Sequence, residues 1–200
     1  GGGDLTTKAF WGARKMPASA KIIAKEKGIL AGEQEVLFFI KKYTKLRCSF
    51  LKHDGEHFSA GAPLAELSGD IHELMAVERA VINLLGRMSG IATYTEKIVR
   101  SARTINITPT RKTLWGLLDK RACVLGGGGT HRLSLDNAVL IKHNHIAASG
   151  LSLGNFLEKS LRLARGRFVE VEVKNQKDAV AAAQVFHAAQ KKGLKLPCFI

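Results

Sequence analysis

Cysteine is scarce in this chain, and the little there is forms no pattern. Cys48, Cys123 and Cys198 lie far apart, are odd in number and make no C-x-x-C pair. That argues against a disulfide framework or a structural zinc site, and it fits a reducing, cytoplasmic compartment. Long apolar runs are also missing. None approaches the ~18 residues of a membrane-spanning helix, and the longest stretches, such as Val36–Ile40, suit core strands or helix faces. The opening residues carry no secretory signal. No initiating Met precedes Gly1-Gly2-Gly3, so the chain is expected to be a fragment. Acidic residues are few, 17 against 31 basic, which leaves a formal charge of +14 and a pI near 10.0. A chain this basic meets something anionic: nucleic acid, a membrane surface or phosphorylated small molecules. The rest is globular, with 46% hydrophobic residues over 200 positions, enough to bury a core without staples.

The first part reads as mixed α and β. Ile22-Ile23 and Ile29-Leu30 flank Glu26-Lys27-Gly28, a turn signal. Glu33–Tyr43 has the pattern of a helix, Arg47–Lys52 and Ala62–Leu67 read as strands, and Asp54-Gly55 as a turn between them. From Ile71 the pattern changes. Leu74, Val77, Val81, Leu84, Leu85 and Met88 recur at helical spacing, and Ser89-Gly90 is expected to bend or break that helix. Strands then read near Ile105 (INITPT), Ala138 (AVLIK), Phe168 (FVEVEV) and Pro197 (PCFI), with starts 33, 30 and 29 residues apart. Helices read between them near Leu114–Arg121, Leu153–Arg165 and Gln176–Lys192, the last capped by Asn175 and stopped by Gly193. This is the spacing of βαβ units. Eight such units do not fit in the chain, so either a barrel built from them is open or the sequence ends early. From the residues alone the expected fold is α/β: a small antiparallel sheet with a helix first, then, from Ile71 on, a helix followed by βαβ units of a parallel sheet or barrel.

Polar clusters sit where such a fold puts its ligands. Thr110-Arg111-Lys112-Thr113 follows a predicted strand, and C-terminal strand ends hold ligands in parallel α/β folds. Arg offers a planar fork for a carboxylate, and Lys a point charge for a phosphate. The alternative is a solvated loop. Gly126–Gly129 leads into Thr130-His131-Arg132. The glycines allow a sharp turn or a close approach to a ligand, but there is no G-x-x-x-x-G-K-[ST], so this is not a P-loop. A flexible connector is the plain reading of the glycines alone. Lys142-His143-Asn144-His145 closes an apolar strand, where polar residues are costly unless they face a site. A zinc pair of His143 and His145 lacks a third ligand. Glu170 and Glu172 alternate with Val169, Val171 and Val173, which puts both carboxylates on one strand face. Glu172, at the strand end, suits a metal or a sugar hydroxyl, and Glu170 a structural partner for Arg or Lys. Glu78-Arg79, taken alone, reads as a helix surface pair, and His53, His57, His72 and His187 as surface or capping residues.

Together, and in this order, the segments resemble the quinolinate phosphoribosyltransferase (nicotinate-nucleotide pyrophosphorylase) family. The matching text is Gly3-Asp4-Leu5-Thr6-Thr7, Ala31-Gly32, ERAVINLLGRMSGIATYT (Glu78–Thr95), TRKT (Thr110–Thr113), GGGGTHR (Gly126–Arg132), AVLIKHNHI (Ala138–Ile146) and VEVEV (Val169–Val173). The resemblance implies phosphoribosyl transfer from phosphoribosyl pyrophosphate to quinolinate with decarboxylation, giving nicotinate mononucleotide, carbon dioxide and pyrophosphate, a step of NAD biosynthesis that uses magnesium. It implies an N-terminal α/β sandwich of antiparallel sheet plus helices over residues 1–70, an open, incomplete α/β barrel over 71–200, and a homodimer whose sites are each completed by the neighbouring subunit. On the matching positions, Arg111, His131, Arg132 and Lys142 surround the two quinolinate carboxylates, and Arg79 is the arginine delivered across the interface. Lys112, Lys142 and His145 lie near phosphoribosyl pyrophosphate. Glu172 belongs to the ribose and magnesium region, and Lys142, Glu172 and Lys112 are the residues implied in catalysis.

Set against the family pattern, the chain is expected to be truncated at both ends, short of the first helix and of a C-terminal part with another acidic strand end and Gly-rich phosphate-binding loops, and it departs at two positions within the matching text. Pro109 precedes TRKT where the family often has Asp or Ala, and His143 stands where it commonly has Asp. Three other readings compete. A non-catalytic, truncated homologue would fold and dimerise without binding quinolinate. A molybdenum-transport-associated relative tends to lack the Lys-x-Asn-His motif that Lys142–His145 supplies. A nucleic-acid-binding module would want basic residues interleaved with aromatics on one face, and aromatics are sparse.

Overall fold

The computed structural model describes residues 4–199, so Gly3 of the GDLTT text and Ile200 of the PCFI strand lie outside the described residues. In chain order the elements are α1 (Leu5–Trp11), β1 (Pro17–Ile23), β2 (Gly28–Ile29), α2 (Glu33–Tyr43), β3 (Arg47–Phe50), β4 (His57–Phe58), β5 (Pro63–Asp70), α3 (Ile71–Ala102) and α4 (Leu117–Leu125). There follow β6 (Val139–Ile141), α5 (His143–Ser149), α6 (Leu153–Leu163), β7 (Val169–Val171), α7 (Gln176–Lys191) and β8 (Cys198–Phe199). They pack as two units, Gly1–His131 and Arg132–Ile200. The architecture is mixed α/β with open sheets: antiparallel in the first unit, parallel in the second.

In the first unit, β5 lies between β1 and β3, and Lys21 pairs with Glu66 across the β1–β5 ladder at 2.9 Å. Helix α3 covers the sheet. Its buried residues Leu74, Val77, Val81 and Leu85 fall three or four apart, so one stripe of the helix meets the core formed with Leu30, Val36, Ile40, Leu64 and Leu67. Asp70 starts the helix by accepting from the His72 amide at 2.9 Å. The expected break at Ser89-Gly90 does not occur, and α3 runs 32 residues. Ser89 is buried, and its hydroxyl accepts from the Ala31 amide at 3.1 Å. Thr93 does the same for Ile29 at 2.9 Å. These two side chains satisfy the edge of β2, and that gain outweighs the ~1 kcal/mol that a glycine costs a helix interior.

The expected strand near Ile105 is also absent: residues 105–110 form no ladder. INITPT alternates like a strand, but Pro109 has no amide to donate and Ile105 is exposed. The backbone bond that holds the segment comes from the Gly129 amide to the Ile107 carbonyl, 2.8 Å. Helix α4 begins three residues later than the sequence suggests and packs on α3 through Ala122, Met88 and Ala92. Arg121 ties α4 to the loop before β4: its Nη2 donates to Asp54 Oδ2 at 2.9 Å. Its Nε lies 2.8 Å from Glu35 Oε1 without the alignment of a hydrogen bond. Asp54 also accepts from the Gly32 and Glu33 amides at 2.8 and 2.9 Å, capping α2, whose own cap residue is a glycine.

The second unit is a three-stranded parallel sheet, ordered β6-β7-β8, with βα crossovers. Val169 and Val171 are buried, packed with Ile141, Leu157, Leu161 and Phe186 from strand and helix faces. Asn175 caps α7 by accepting from the Asp178 amide at 2.9 Å, and Gly193 follows the helix at φ +94°. Both were legible as cap and stop.

Candidate active site

The first unit carries its polar cluster on two loops that meet. One is the segment from residue 105 to 116, with Arg111 and Lys112 exposed upon it. The other is the glycine run and the residues after it. The run is a packed joint, not a flexible connector. A Cβ on Gly126 would sit 2.2 Å from the Ala92 carbonyl oxygen, and one on Gly128 would sit 2.7 Å from Cys123 Sγ and 3.0 Å from the Ile107 carbonyl oxygen. Gly127 has φ +86°, a left-handed conformation open to glycine. His131, which is not a glycine, also sits at φ +51°. Such strain persists where surrounding structure over-determines it, and it clusters at functional sites.

Two consecutive residues of α4 hold these loops. Asp119 is 4% exposed and Lys120 3% exposed. Lys120 Nζ donates to the Thr130 carbonyl at 2.5 Å and to the Pro109 carbonyl at 3.3 Å. Asp119 accepts from the Trp115 amide at 3.2 Å and receives a two-pronged bond from Arg87, Nε to Oδ1 at 2.8 Å and Nη2 to Oδ2 at 2.7 Å. Hydrogen bonding from Arg87 holds the Asp119 carboxyl below the usual carboxylate range. The Arg87 guanidinium also lies over the Trp115 ring, 5.1 Å from its centroid. None of Arg87, Asp119 or Lys120 stood out in the sequence. The signal was a charged run, Asp119-Lys120-Arg121, between the apolar residues Leu117, Leu118, Ala122 and Cys123.

The second unit gathers three of the predicted residues at the C-terminal ends of β6 and β7. Ile141 pairs with Val171, and the Glu172 amide donates to the Ile141 carbonyl at 2.9 Å, so Lys142 and Glu172 emerge side by side. Lys142 is half-buried and Glu172 exposed. His143 opens α5, and His145 Nδ1 accepts from the Lys142 amide at 3.0 Å. With Nδ1 engaged as an acceptor, the ring's proton sits on Nε2, which faces outward as a donor. The zinc pairing of His143 with His145 has no geometric basis, because residues i and i+2 of a helix point apart. Among the described residues no group of three His, Cys, Asp or Glu could hold a metal ion. A cleft of about 270 Å³ lies beside this edge, lined by Glu172, Lys174, Asp178 and His143. Lys142 and His145 do not line it.

Arg132 is 9% exposed, and its Nε has no hydrogen-bond partner. A buried, partly unpaired guanidinium is costly unless an anion completes it. Arg79 is exposed on α3. The side chains of Arg79, Arg111, Lys112 and Glu172 form no hydrogen bond or ion pair with a described residue. Each is available to a ligand or to another molecule. No helix among the described residues is long and apolar enough to cross a membrane.

Two family profiles match the chain. "Quinolinate phosphoribosyl transferase, N-terminal domain" covers residues 4–89, and "Quinolinate phosphoribosyl transferase, C-terminal domain" covers residues 91–189. A protein of Methanothermobacter thermautotrophicus, described as a probable nicotinate-nucleotide pyrophosphorylase (carboxylating), is 38% identical over 90% of this chain and 66% of its own length. One of Bacillus subtilis with the same description is 39% identical over 91% of this chain and 65% of its own length. The solved nicotinate-nucleotide pyrophosphorylase of Francisella tularensis superposes with a TM-score of 0.81 at 32% identity, covering 92% of this chain and 66% of that one. The chain thus spans slightly less than two thirds of the proteins it matches.

Proposed function

The chain belongs to the quinolinate phosphoribosyltransferase family, and on that premise we propose that it carries out phosphoribosyl transfer to quinolinate with decarboxylation. The observation that carries the reading is Arg132, a buried guanidinium with a nitrogen left for an anion. Quinolinate is a dianion and phosphoribosyl pyrophosphate a polyanion, so bringing them together needs fixed cations. We assign Arg111, His131, Arg132 and Lys142 to the two carboxylates. Lys112, Lys142 and His145 take the phosphates of the cosubstrate, and the Nε2–H of His145 is a donor suited to that task. Glu172 takes the ribose hydroxyls.

In this reading the pyridine nitrogen attacks the anomeric carbon of the ribose as pyrophosphate departs, and Lys112 and Lys142 offset the charge on the leaving group. The ring nitrogen becomes positive. The bond to the neighbouring carboxylate then breaks, carbon dioxide leaves, and the carbanion at that ring carbon is stabilised by the adjacent charge until it takes a proton. No side-chain nucleophile is needed. Magnesium binds through one or two carboxylates plus substrate phosphates, so a single exposed carboxylate, Glu172, fits as its protein ligand. When bound, the ion supplies further neutralisation of the departing pyrophosphate. Arg79, exposed and without a partner among the described residues, is assigned to the site of a second copy in a homodimer. The three free thiols support a cytoplasmic setting.

The test is calorimetric titration of quinolinate into the chain and into Arg111→Ala. The expected result is binding that weakens at least about tenfold in the variant, the scale of one charge-assisted hydrogen bond. Product formation with phosphoribosyl pyrophosphate and magnesium is then the next assay. A folded chain that takes up no quinolinate overturns the reading.

A further inference from the structure

We propose that Asp119 and Lys120 are positioning residues that clamp both feet of the loop carrying Arg111 and Lys112, an inference that rests on the reading of Arg111 and His131 above. The loop leaves at Pro109 and returns at Trp115. Lys120 holds the first foot by its bond to the Pro109 carbonyl, and Asp119 holds the second by accepting from the Trp115 amide. The exposed part between them, Thr110 to Leu114, makes few bonds of its own. The Lys112 amide donates to Thr110 Oγ1 at 3.1 Å, and the Thr113 hydroxyl reaches the Gly116 carbonyl at 3.4 Å. Neither of these bonds ties the loop to the rest of the fold; the Thr113 side chain does so through a hydrogen bond to Asp119 itself, which adds to the hold on the second foot. Without the clamp, a segment that forms no ladder would wander, and its two cations with it.

The clamp has a second jaw. The same Lys120 ammonium donates to the Thr130 carbonyl, one residue before His131. One buried cation therefore sets the spacing between the loop bearing Arg111 and the loop bearing His131. A flexible lysine side chain suits this task because its three donors can serve carbonyls in different directions. Asp119 is itself fixed by the fork from Arg87, so the reference frame for the whole arrangement is α3. That gives a chemical reason for two buried charges side by side on a short helix: each is matched to backbone groups whose positions matter. A geometry error of about 1 Å in such loops is enough to impair binding.

The experiment pairs native-state hydrogen exchange with quinolinate titration on the chain, Lys120→Met and Asp119→Asn. In either variant, exchange of the two hydrogen-bonded loop amides, Lys112 and Trp115, should accelerate at least about tenfold while those of the α3 core, Val77 to Met88, keep their protection. Quinolinate binding by Lys120→Met should weaken at least about tenfold, the scale of a hydrogen bond from a charged group. Unchanged loop exchange, or loop and α3 amides accelerating in parallel, overturns the proposal, because parallel loss marks a merely structural residue. If Lys120→Met does not fold, Asp119→Asn decides, since it keeps the shape and removes the charge that Arg87 grips. If the unsubstituted chain binds no quinolinate, the reading of function fails, and the exchange pattern still decides the clamp by itself.

Discussion

At the scale of single residues, His72 shows how much a hydrogen-bond inventory can say. Its Nδ1 faces Asp70 Oδ1 and its Nε2 faces the Gly12 carbonyl, each at 2.9 Å. Both neighbours are pure acceptors, so the ring makes both bonds only as the imidazolium. The hydrogen bond to Asp70 accordingly raises the His72 pKa above its ordinary value near 6.5, and hydrogen bonds from His72 lower that of Asp70 below 3.8. The signs give a window. A raised histidine contributes fully below about pH 6.5 and loses its contribution as pH climbs through its folded value. A lowered carboxylate contributes above about pH 3.8 and loses it as pH falls through its folded value. Docking of α1 on α3 should be tightest between these limits. Exchange protection of the α1 amides should be greatest near pH 5–6 and should fall above neutrality, and His72→Gln should abolish that pH dependence. Protection that stays flat from pH 5 to 9 in the unsubstituted chain would sink the argument.

At the scale of elements, the close approach of the glycine run to α3 is the constraint that a substitution tests most directly. A Cβ on Gly126 meets backbone, the Ala92 carbonyl oxygen at 2.2 Å and its carbon at 2.9 Å, and not the far end of a flexible side chain. Gly126→Ala should therefore destabilise by about 1–3 kcal/mol, with about 2–4 °C of Tm lost per kcal/mol for a chain this size. Gly127→Ala meets a different penalty, since φ +86° disfavours any side chain although a Cβ there would meet Val99 Cγ1 only at an ordinary 3.9 Å. A thermal melt of Gly126→Ala that matches the unsubstituted chain would show that the joint can yield. Elements whose signals are local were legible in the sequence. Helix α2 matches its expected bounds because its amphipathic stripe and its neighbours agree, and α7 because Asn175 and Gly193 mark both ends. The strand near Ile105 was misread because alternation alone cannot show whether a partner strand exists. The break at Ser89 was misread because the partner that makes Ser89 welcome, the Ala31 amide, is 58 residues away in sequence. The same limit applies to the site. That Lys142 and Glu172 stand at neighbouring strand ends could be read from spacing. That Lys120 reaches the Pro109 and Thr130 carbonyls could not, since nothing local encodes it.

At the scale of the molecule, part of the charge of +14 sits on loops and strand ends, in Arg111, Lys112, Arg132 and Lys142, the cations that the proposed function assigns to anionic substrates. Helix α3 matters as much. At about 1.5 Å per residue its 32 residues reach about 48 Å. Its first half closes the antiparallel sheet, and its second half supplies Thr93 to β2, Ala92 to α4 and a seat for Gly126. The two family profiles meet between residues 89 and 91, in the middle of this rod. A fragment of residues 4–89 would keep Ile29 and Ala31 but lose Ala92 and Ala122, which cover them. It should melt at lower temperature and less cooperatively than the intact chain, as followed by circular dichroism. An equally sharp transition at the same Tm would contradict this. The boundary that sequence comparison draws is thus one of ancestry and not of folding. A chimaera of two relatives would therefore have to be joined outside α3, so that both halves of the helix come from one parent and β2 stays covered.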